Sequence, residues 1–521
     1  IKCPYLNGQY PDRGLKITAD YGRMQTVSAQ DQTMNPNTPI IVGIAQHAQK
    51  VADVDQALEP VELMIRAARA AAEDTGHPGI LSDLDSVRVV RGRWRYKQPA
   101  GYVASRLGSA DAELIGTPFG GNFVQALVNR SALDILEGKN SLVLLTGAEV
   151  GHTQAKLLKA GREMAYTKTS GSYDDMLDTE APMSGSAEQA RSIQSPLQMY
   201  PVFENAIRYQ RGESVSEHIC RISELWAGFS AVAQQNPHAW LRKQLDAEMI
   251  RTPSDSNRMI SFPYPKLMNS NNAVDMSAAL IMCSVAVAKR YAIDPALWVF
   301  PWSGAAAHDT YMVSERDNLY SSPAIRFAGQ RALDLAGLST SDLSLVDVYS
   351  CFPSAVQVAA TELGLDQSKP LTITGGLTFG GGPLNNYVMH SIARMVELTR
   401  LNPSDKGLIT ANGGFLTKHA FGVYSATPPS QDFQFADVQS EVDAMPTRES
   451  LDNFNGKVVI ESYTVMYGGG MPQMGHVACL TGDGKRTWAN TEDRDLLFSM
   501  ADEEFCGRAG SVNGQGLFTL G

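Results

Sequence analysis

Short β-branched runs alternate with helical periods along most of the chain, and the whole pattern occurs twice. Strand-like residues 40–43 and 298–300 each precede an amphipathic helix that begins at a proline, Pro60 or Pro323. A Ser-Asp-Leu turn and a second β-branched run follow each helix, and the copies lie about 260 residues apart. This order predicts a duplicated α/β unit with two mostly parallel sheets, covered by helices and packed face to face.

Breaks in the pattern divide the chain into predicted segments. Residues 1–37 are polar and are expected to form a flexible extension. The first half spans 38–296 and includes a loop or lid insertion at about 155–295, and the second half spans 297–428. After a linker, residues 452–521 contain alternating strand-like runs joined by glycine turns, which predict a small β-barrel-like C-terminal domain.

Composition and charge narrow the functional classes. The 521 residues carry a net charge of −11, and we identify no Lys/Arg cluster that could neutralise a row of phosphates, which argues against nucleic-acid or anionic-membrane binding. The longest nearly apolar run, Met276 to Ala288, falls short of the roughly 20 residues that cross a bilayer. Six cysteines without a CxxC pair predict no structural zinc and no disulfide scaffold, as is typical of a cytoplasmic protein.

Polar residues at the carboxyl ends of the predicted strands are the candidates for chemistry, because such ends line the ligand crevices of α/β folds. Gly120, Gly121 and Asn122 precede an apolar helix, whose free N–H groups suit an oxyanion or a thioester carbonyl. The alternative interpretation is a tight turn that only packs the helix.

Cys351 directly follows the predicted strand 345–348, where the next helix begins. A helix end can depress the pKa of a thiol and make it a nucleophile or an acid/base group, although a lone buried cysteine can also be inert. An unperturbed thiol is only about 3% ionised at pH 7, so Cys351 requires that helix end or a nearby base such as His419.

Asn412, Lys418 and His419 follow the last predicted strand of the second copy. His419 could act as a base, and Lys418 could hold a phosphate or a carboxylate. Equally, Lys418 could be solvated and His419 a structural histidine.

Residues 38–426 resemble the thiolase superfamily. The resemblance rests on Gly147-Ala148-Glu149, on Tyr349-Ser350-Cys351-Phe352 where sterol-carrier-type thiolases have His-Asp-Cys-Phe, on Gly381-Gly382-Pro383 for Gly-His-Pro, and on Ala411-Asn412-Gly413 for Cys-x-Gly. With the added C-terminal domain, the chain is most similar to the bacterial thiolase-like proteins of type one. The resemblance implies a duplicated, five-layered αβαβα thiolase fold and an OB-like, β-rich C-terminal domain.

The resemblance also implies catalytic positions, and most of them have lost their chemistry. The nucleophilic cysteine falls at Gly121, the activating histidine at Gly382 and one acid/base cysteine at Ala411. Only Cys351 is retained, and Tyr349 replaces the histidine before it. Because each such loss costs about 10⁴- to 10⁶-fold in rate, standard thiolase activity is not expected. The two glycines are instead expected to widen the pocket.

Two functional hypotheses follow for a ligand of the acyl-CoA class. The first is an atypical acyltransferase or carbon–carbon bond-forming or -cleaving enzyme, with Cys351, His419 and Tyr349 as catalytic residues. The second is a non-catalytic module that binds CoA or acyl-CoA. In both, the thioester is expected at Gly121, Asn122, Gly382, Asn412 and Lys418. We expect no metal, no further cofactor, no nucleic-acid or membrane partner, and a monomer or a homodimer.

Overall fold

A computed structural model describes residues 34–521, so most of the predicted extension at residues 1–37 lies outside the described residues. The strands are β1 (Pro39–Ala48), β2 (Ser86–Val89), β3 (Glu113–Gly116), β4 (Leu142–Val150), β5 (Asp175–Met176), β6 (Met259–Ser261), β7 (Tyr264–Pro265), β8 (Asp275–Ser284), β9 (Phe300–His308), β10 (Leu345–Asp347), β11 (Lys406–Gly413), β12 (Lys418–Ser425), β13 (Gln434–Asp437), β14 (Ser450–Leu451), β15 (Gly456–Gly468), β16 (Met471–Thr481), β17 (Arg486–Thr491), β18 (Ala509–Val512) and β19 (Phe518–Leu520).

Helices connect and cover these strands. They are α1 (Pro60–Asp74), α2 (Pro99–Leu107), α3 (Phe123–Leu136), α4 (Gly151–Lys159), α5 (Ser186–Gln189), α6 (Pro196–Arg211), α7 (Val215–Gln235), α8 (Ala247–Arg251), α9 (Val285–Arg290), α10 (Pro323–Leu335), α11 (Pro353–Leu363), α12 (Tyr387–Leu401), α13 (Gln439–Asp443) and α14 (Arg494–Met500). Within residues 34–521, no helix is both long and apolar enough to cross a membrane.

The duplicated core has the five predicted layers. The first sheet has the order β1-β8-β4-β2-β3-β5, and the second has the order β10-β11-β12-β9-β13. Helices α3 and α12 pack between the two sheets, α1 covers the outer face of the first, and α10 covers the second. The predicted αβαβα architecture is therefore confirmed, and α1 and α10 begin at Pro60 and Pro323 as expected.

Two predicted segment boundaries are wrong. Strand β8 pairs with both β1 and β4 inside the first sheet, so the insertion ends before residue 275 and not near 295. The long apolar run that begins at Met276 supplies this strand, which is buried on both faces. The second sheet takes β13 beside β9, which extends it past the predicted end at residue 428.

The C-terminal region is β-rich, as predicted. Strands β14, β17, β16, β15, β18 and β19 lie in that order, and the insertion strand β6 also pairs with β15. A bridge between Asn490 and Leu517 brings the chain before β19 back to the end of β17, which closes a small ring of strands. Asn205 and Arg208 of α6 bind Tyr463 of β15, so the inserted helix joins this region to the core.

Candidate functional site

Gly121, Tyr349 and Asn412 come together where the two halves meet. Gly121 lies just before α3, Tyr349 follows β10, and Asn412 lies near the end of β11. A Cβ built on Gly121 would overlap the hydroxyl oxygen of Tyr349 and lie 2.5 Å from the carbonyl oxygen of Asn412. The tyrosine therefore occupies the space that a side chain at Gly121 would need, and the expectation of a wider pocket is wrong here.

Gly382 also opens no space. A Cβ on it would lie 3.0 Å from Oδ1 of Asn272 and 3.2 Å from the carbonyl oxygen of Asn271. The backbone N–H of Gly382 donates to that same carbonyl oxygen at 3.0 Å, so it is not free for a thioester. The cavity that Tyr349, Ala411, Asn412 and His419 help to line measures about 10 Å³. This volume is at the lower limit for a single water molecule.

The Cys351 thiol is buried and protonated. The side-chain amide of Asn412 donates from Nδ2 to Sγ at 3.7 Å. Burial raises the pKa of this thiol to about 12, and the hydrogen bonds from Tyr200 and Asn412 only partly offset the loss of hydration. The expectation that the start of α11 depresses the pKa of Cys351 is therefore wrong, because desolvation exceeds the helix effect.

His419 does not act on Cys351. Its Nε2 lies 3.2 Å from the carbonyl oxygen of Leu416 and 3.6 Å from Oδ2 of Asp309. Within residues 34–521 no direct hydrogen bond joins the two side chains, so the structure does not bring the predicted Cys351–His419 pair into direct contact. His419 of β12 lies opposite Asn412 of β11 in the antiparallel pair, so its position is set by the sheet.

Lys418 and Asn122 hold the loop in front of α3. The ammonium of Lys418 donates to the carbonyl oxygen of Phe119 at 3.1 Å and lies 4.8 Å from the ring centre of Phe123. Burial lowers the pKa of Lys418. Asn122 is buried, and its Oδ1 has no hydrogen-bond partner among the described residues. Both predicted binding residues are thus at the centre, but Lys418 is bound to the protein itself.

Tyr200 is a central residue that the sequence did not single out. Its hydroxyl accepts hydrogen bonds from Nδ2 of Asn412 and from the backbone N–H of Leu416, both at 2.9 Å. Its ring stacks on Phe352 with 4.4 Å between centroids. Tyr200 lies in the inserted helix α6, where the only local signal is the Ser195 capping box that marks the helix start.

A buried network of charged and hydrogen-bonded side chains surrounds Glu204, which lies one turn after Tyr200 in α6. His218 lies between two carboxylates, with 2.6 Å from Nε2 to Glu204 and 2.7 Å from Nδ1 to Glu213. Although burial opposes ionisation, the hydrogen bond and charge of His218 hold the pKa of Glu204 below its ordinary value. Tyr264 donates to Glu204 at 2.5 Å and also bonds Ser354 of α11, which fixes the helix after Cys351.

A second concave site lies beside this centre. We call it the arginine cleft and define it by Arg91, Arg93, Trp94, Arg95, Glu149 and Arg162; its volume is about 770 Å³. The basic residues Arg91, Arg93, Arg95 and Lys97, which were not singled out from the sequence, are exposed and alternate with buried residues in the loop after β2. Burial raises the pKa of Glu149, at the cleft wall, to about 8.

The duplicated αβαβα core, with its centre at the strand ends, defines the class as the thiolase superfamily. A monomeric SCP2-thiolase-like protein type 1 from Mycobacterium smegmatis is 30% identical, with a TM-score of 0.81 over 94% of this chain and 100% of that one. Residues 437–516 match the family described as thiolase-like protein type 1 additional C-terminal domain. The chain belongs to the SCP2-thiolase-like protein type 1 family.

Two more distant relatives are named as enzymes of CoA thioesters. An acetyl-CoA acetyltransferase of Methanothermobacter thermautotrophicus is 25% identical over 181 residues, which span 32% of this chain and 45% of that relative. A human mitochondrial 3-ketoacyl-CoA thiolase in complex with CoA is 18% identical, with a TM-score of 0.52 over 74% of this chain and 98% of that one. The second likeness shows the shared fold alone.

Proposed function

We propose that this protein binds a CoA thioester and carries out no thiolase reaction at the thiolase centre. One observation carries this proposal: the Tyr349 hydroxyl lies where a side chain at Gly121 would begin. The structure of the human thiolase contains CoA, and the curated relative is named as an acetyl-CoA acetyltransferase. These relatives support CoA thioesters as the ligand class, whereas the filled centre argues against a thiolase reaction.

The thiol chemistry supports the same proposal. With a pKa of about 12, only about one Cys351 thiol in 10⁵ is ionised at pH 7. A thiolate is the nucleophilic form, and the described residues place no base in hydrogen-bond contact with Sγ. Covalent acyl transfer to Cys351 is therefore strongly disfavoured.

The available volume argues in the same direction. Tyr200 and Tyr349 bring two aromatic rings to the centre, and the cavity of about 10 Å³ lined by Tyr349, Asn412 and His419 cannot hold an acyl group. An acyl chain could enter only if these rings moved. The ring of Tyr200 is fixed by stacking on Phe352 and by two hydrogen bonds to its hydroxyl, which opposes that movement.

Intact-protein mass spectrometry and calorimetry test the proposal together. The full chain is incubated with acetyl-CoA and acetoacetyl-CoA, digested and mapped, and the same ligands are titrated by calorimetry. We expect binding without an acyl adduct. The matched control is Cys283→Ala, which removes a buried free thiol far from the centre in sequence and on another strand.

An acyl adduct on Cys351 that disappears in Cys351→Ala but persists in Cys283→Ala would contradict the proposal and establish the atypical acyltransferase. Sustained thiolysis of acetoacetyl-CoA that Cys351→Ala abolishes would have the same meaning. Absence of any heat or mass complex with either thioester would reject CoA binding itself.

A further inference from the structure

Basic side chains of the loop between β2 and α2 line the arginine cleft. Arg91, Arg93 and Arg95 are exposed, whereas Gly92, Trp94 and Tyr96 between them are buried. All three of these arginines line the same cleft. Arg162, which follows α4, adds a fourth. Glu149, Glu163 and Glu180 line the same cleft, so its four arginines outnumber its three carboxyl groups.

Two of these arginines are free to bind an anion. Arg95 pairs with Glu163 at 3.1 Å, and Arg162 pairs with Asp55. Among residues 34–521, Arg91 and Arg93 take part in no ion pair, and their guanidinium groups donate no hydrogen bond to a protein acceptor. The Arg91 guanidinium lies 5.4 Å from the ring centre of Trp94, which orients it at the cleft wall.

The wall beneath them carries an unused donor. Trp94 is 5% exposed, and its Nε1–H has no hydrogen-bond partner in the part of the chain that the structure describes. A Cβ on Gly92 would overlap this nitrogen and lie 2.8 Å from Oε1 of Glu149. The indole nitrogen therefore occupies the space that a side chain at Gly92 would need, and it is itself buried. The two exposed guanidinium groups are the donors that suit the acceptor oxygens of an anion.

The remaining wall suits an organic body. Phe119, Leu158, Met164 and Leu384 provide apolar surface in the same cleft. The volume of about 770 Å³ lies within the range of ligand sites, which is roughly 300–1,000 Å³. Phe119 also precedes Gly121 by two residues, so the cleft adjoins the loop that Lys418 holds.

We propose that the arginine cleft binds the phosphate groups of a phosphorylated organic ligand, with Arg91 and Arg93 as the phosphate-binding residues. The inference deepens the proposed function, on which the choice of CoA as a probe rests. The same phosphate chemistry also occurs in free nucleotides. CoA, ADP and inorganic pyrophosphate are therefore the three probes that separate these sources.

Calorimetric titration of the full chain at low ionic strength tests the inference. The variant R91Q/R93Q removes both unpaired cations and keeps side chains of similar length. The matched control R242Q/K243Q removes the same charge from two exposed residues outside the cleft. We expect R91Q/R93Q to bind CoA about 10- to 100-fold more weakly, since each hydrogen bond between charged groups contributes appreciably, and R242Q/K243Q to change affinity by less than about 3-fold.

The outcomes separate the inference from the proposed function. Equal CoA binding by wild type and R91Q/R93Q would overturn the inference and leave the proposed function intact. Binding of ADP or pyrophosphate that R91Q/R93Q weakens, without binding of CoA, would support the phosphate site and reject the proposed function. If wild type binds none of the three probes, both fall. Unchanged circular dichroism and urea midpoints establish that the variants are folded.

Discussion

The thiolase centre and the arginine cleft adjoin the same loop, and they differ in almost every physical property. At Gly121 the centre is filled by Tyr349, and the cavity that Tyr349, Asn412 and His419 help to line measures about 10 Å³. The cleft at Phe119 measures about 770 Å³ and presents two unpaired guanidinium groups. Side-chain volume therefore separates the two sites, since a few side chains decide whether the strand ends of the thiolase scaffold are open or filled.

A side chain introduced at Gly121 is the strongest test of whether Tyr349 fills the centre. We expect Gly121→Cys to lower the free energy of unfolding by about 2 to 4 kcal/mol, because its Cβ overlaps the Tyr349 hydroxyl and a backbone carbonyl that cannot rotate away. Urea unfolding measures the loss. Gly79→Ala is the matched control, since a Cβ there meets no atom within 4 Å. A Gly121→Cys protein as stable as Gly79→Ala would show that the centre is not filled.

Glu149→Gln tests whether the raised pKa of Glu149, in the wall of the arginine cleft, lowers stability at high pH. The pKa of Glu149 is raised to about 8 when folded, above its unfolded value, so the folded state binds more protons and stability falls as pH rises from about 4.5 to 8. Glutamine can still accept the hydrogen bond from the Arg93 backbone. We expect Glu149→Gln to be about 2 to 4 kcal/mol more stable than wild type at pH 8.

Urea unfolding of wild type and Glu149→Gln from pH 4.5 to pH 8 measures that margin. It should shrink towards zero as pH falls to about 4.5, where the folded-state carboxyl is protonated and the unfolded-state carboxyl is about half protonated. A margin that does not depend on pH would mean that Glu149 is not the titrating group. Glu163→Gln, at an exposed residue of the same cleft, is the control and should show little pH-dependent difference.

Fold and site differ in how far the sequence predicts them. Prolines at residues 60 and 323 begin helices for local reasons, since proline is favoured in the first turn, and repetition of the pattern then fixes the layers. Tyr200 and Tyr349 fill the centre, and no local sequence pattern predicts that these two distant residues come together. Basic residues alternate with other residues from Arg91 to Lys97 in the sequence. The cleft also needs Arg162 and Glu149, which approach this segment only in the folded chain.

Tyr200→Phe tests which tyrosine holds the closed centre in place. Removal of this hydroxyl leaves Nδ2 of Asn412 and the N–H of Leu416 without their shared acceptor in a buried site. We expect a loss of about 1 to 3 kcal/mol in the free energy of unfolding, measured in urea. Tyr209→Phe, at a largely exposed tyrosine of the same helix, should change stability by less than about 0.5 kcal/mol.

Tyr349→Phe should have the smallest effect, although Tyr349 lies closest to the position of the missing nucleophile. Its hydroxyl forms no hydrogen bond with another described residue, whereas its ring packs edge-on against Tyr387 with 5.6 Å between centroids. Phenylalanine keeps that ring contact, so we expect a change below about 0.5 kcal/mol in urea unfolding. A loss as large as that of Tyr200→Phe would reveal a partner for the hydroxyl. A small loss would show that Tyr349 closes the centre by its volume, since a ring without its hydroxyl still packs in the same place.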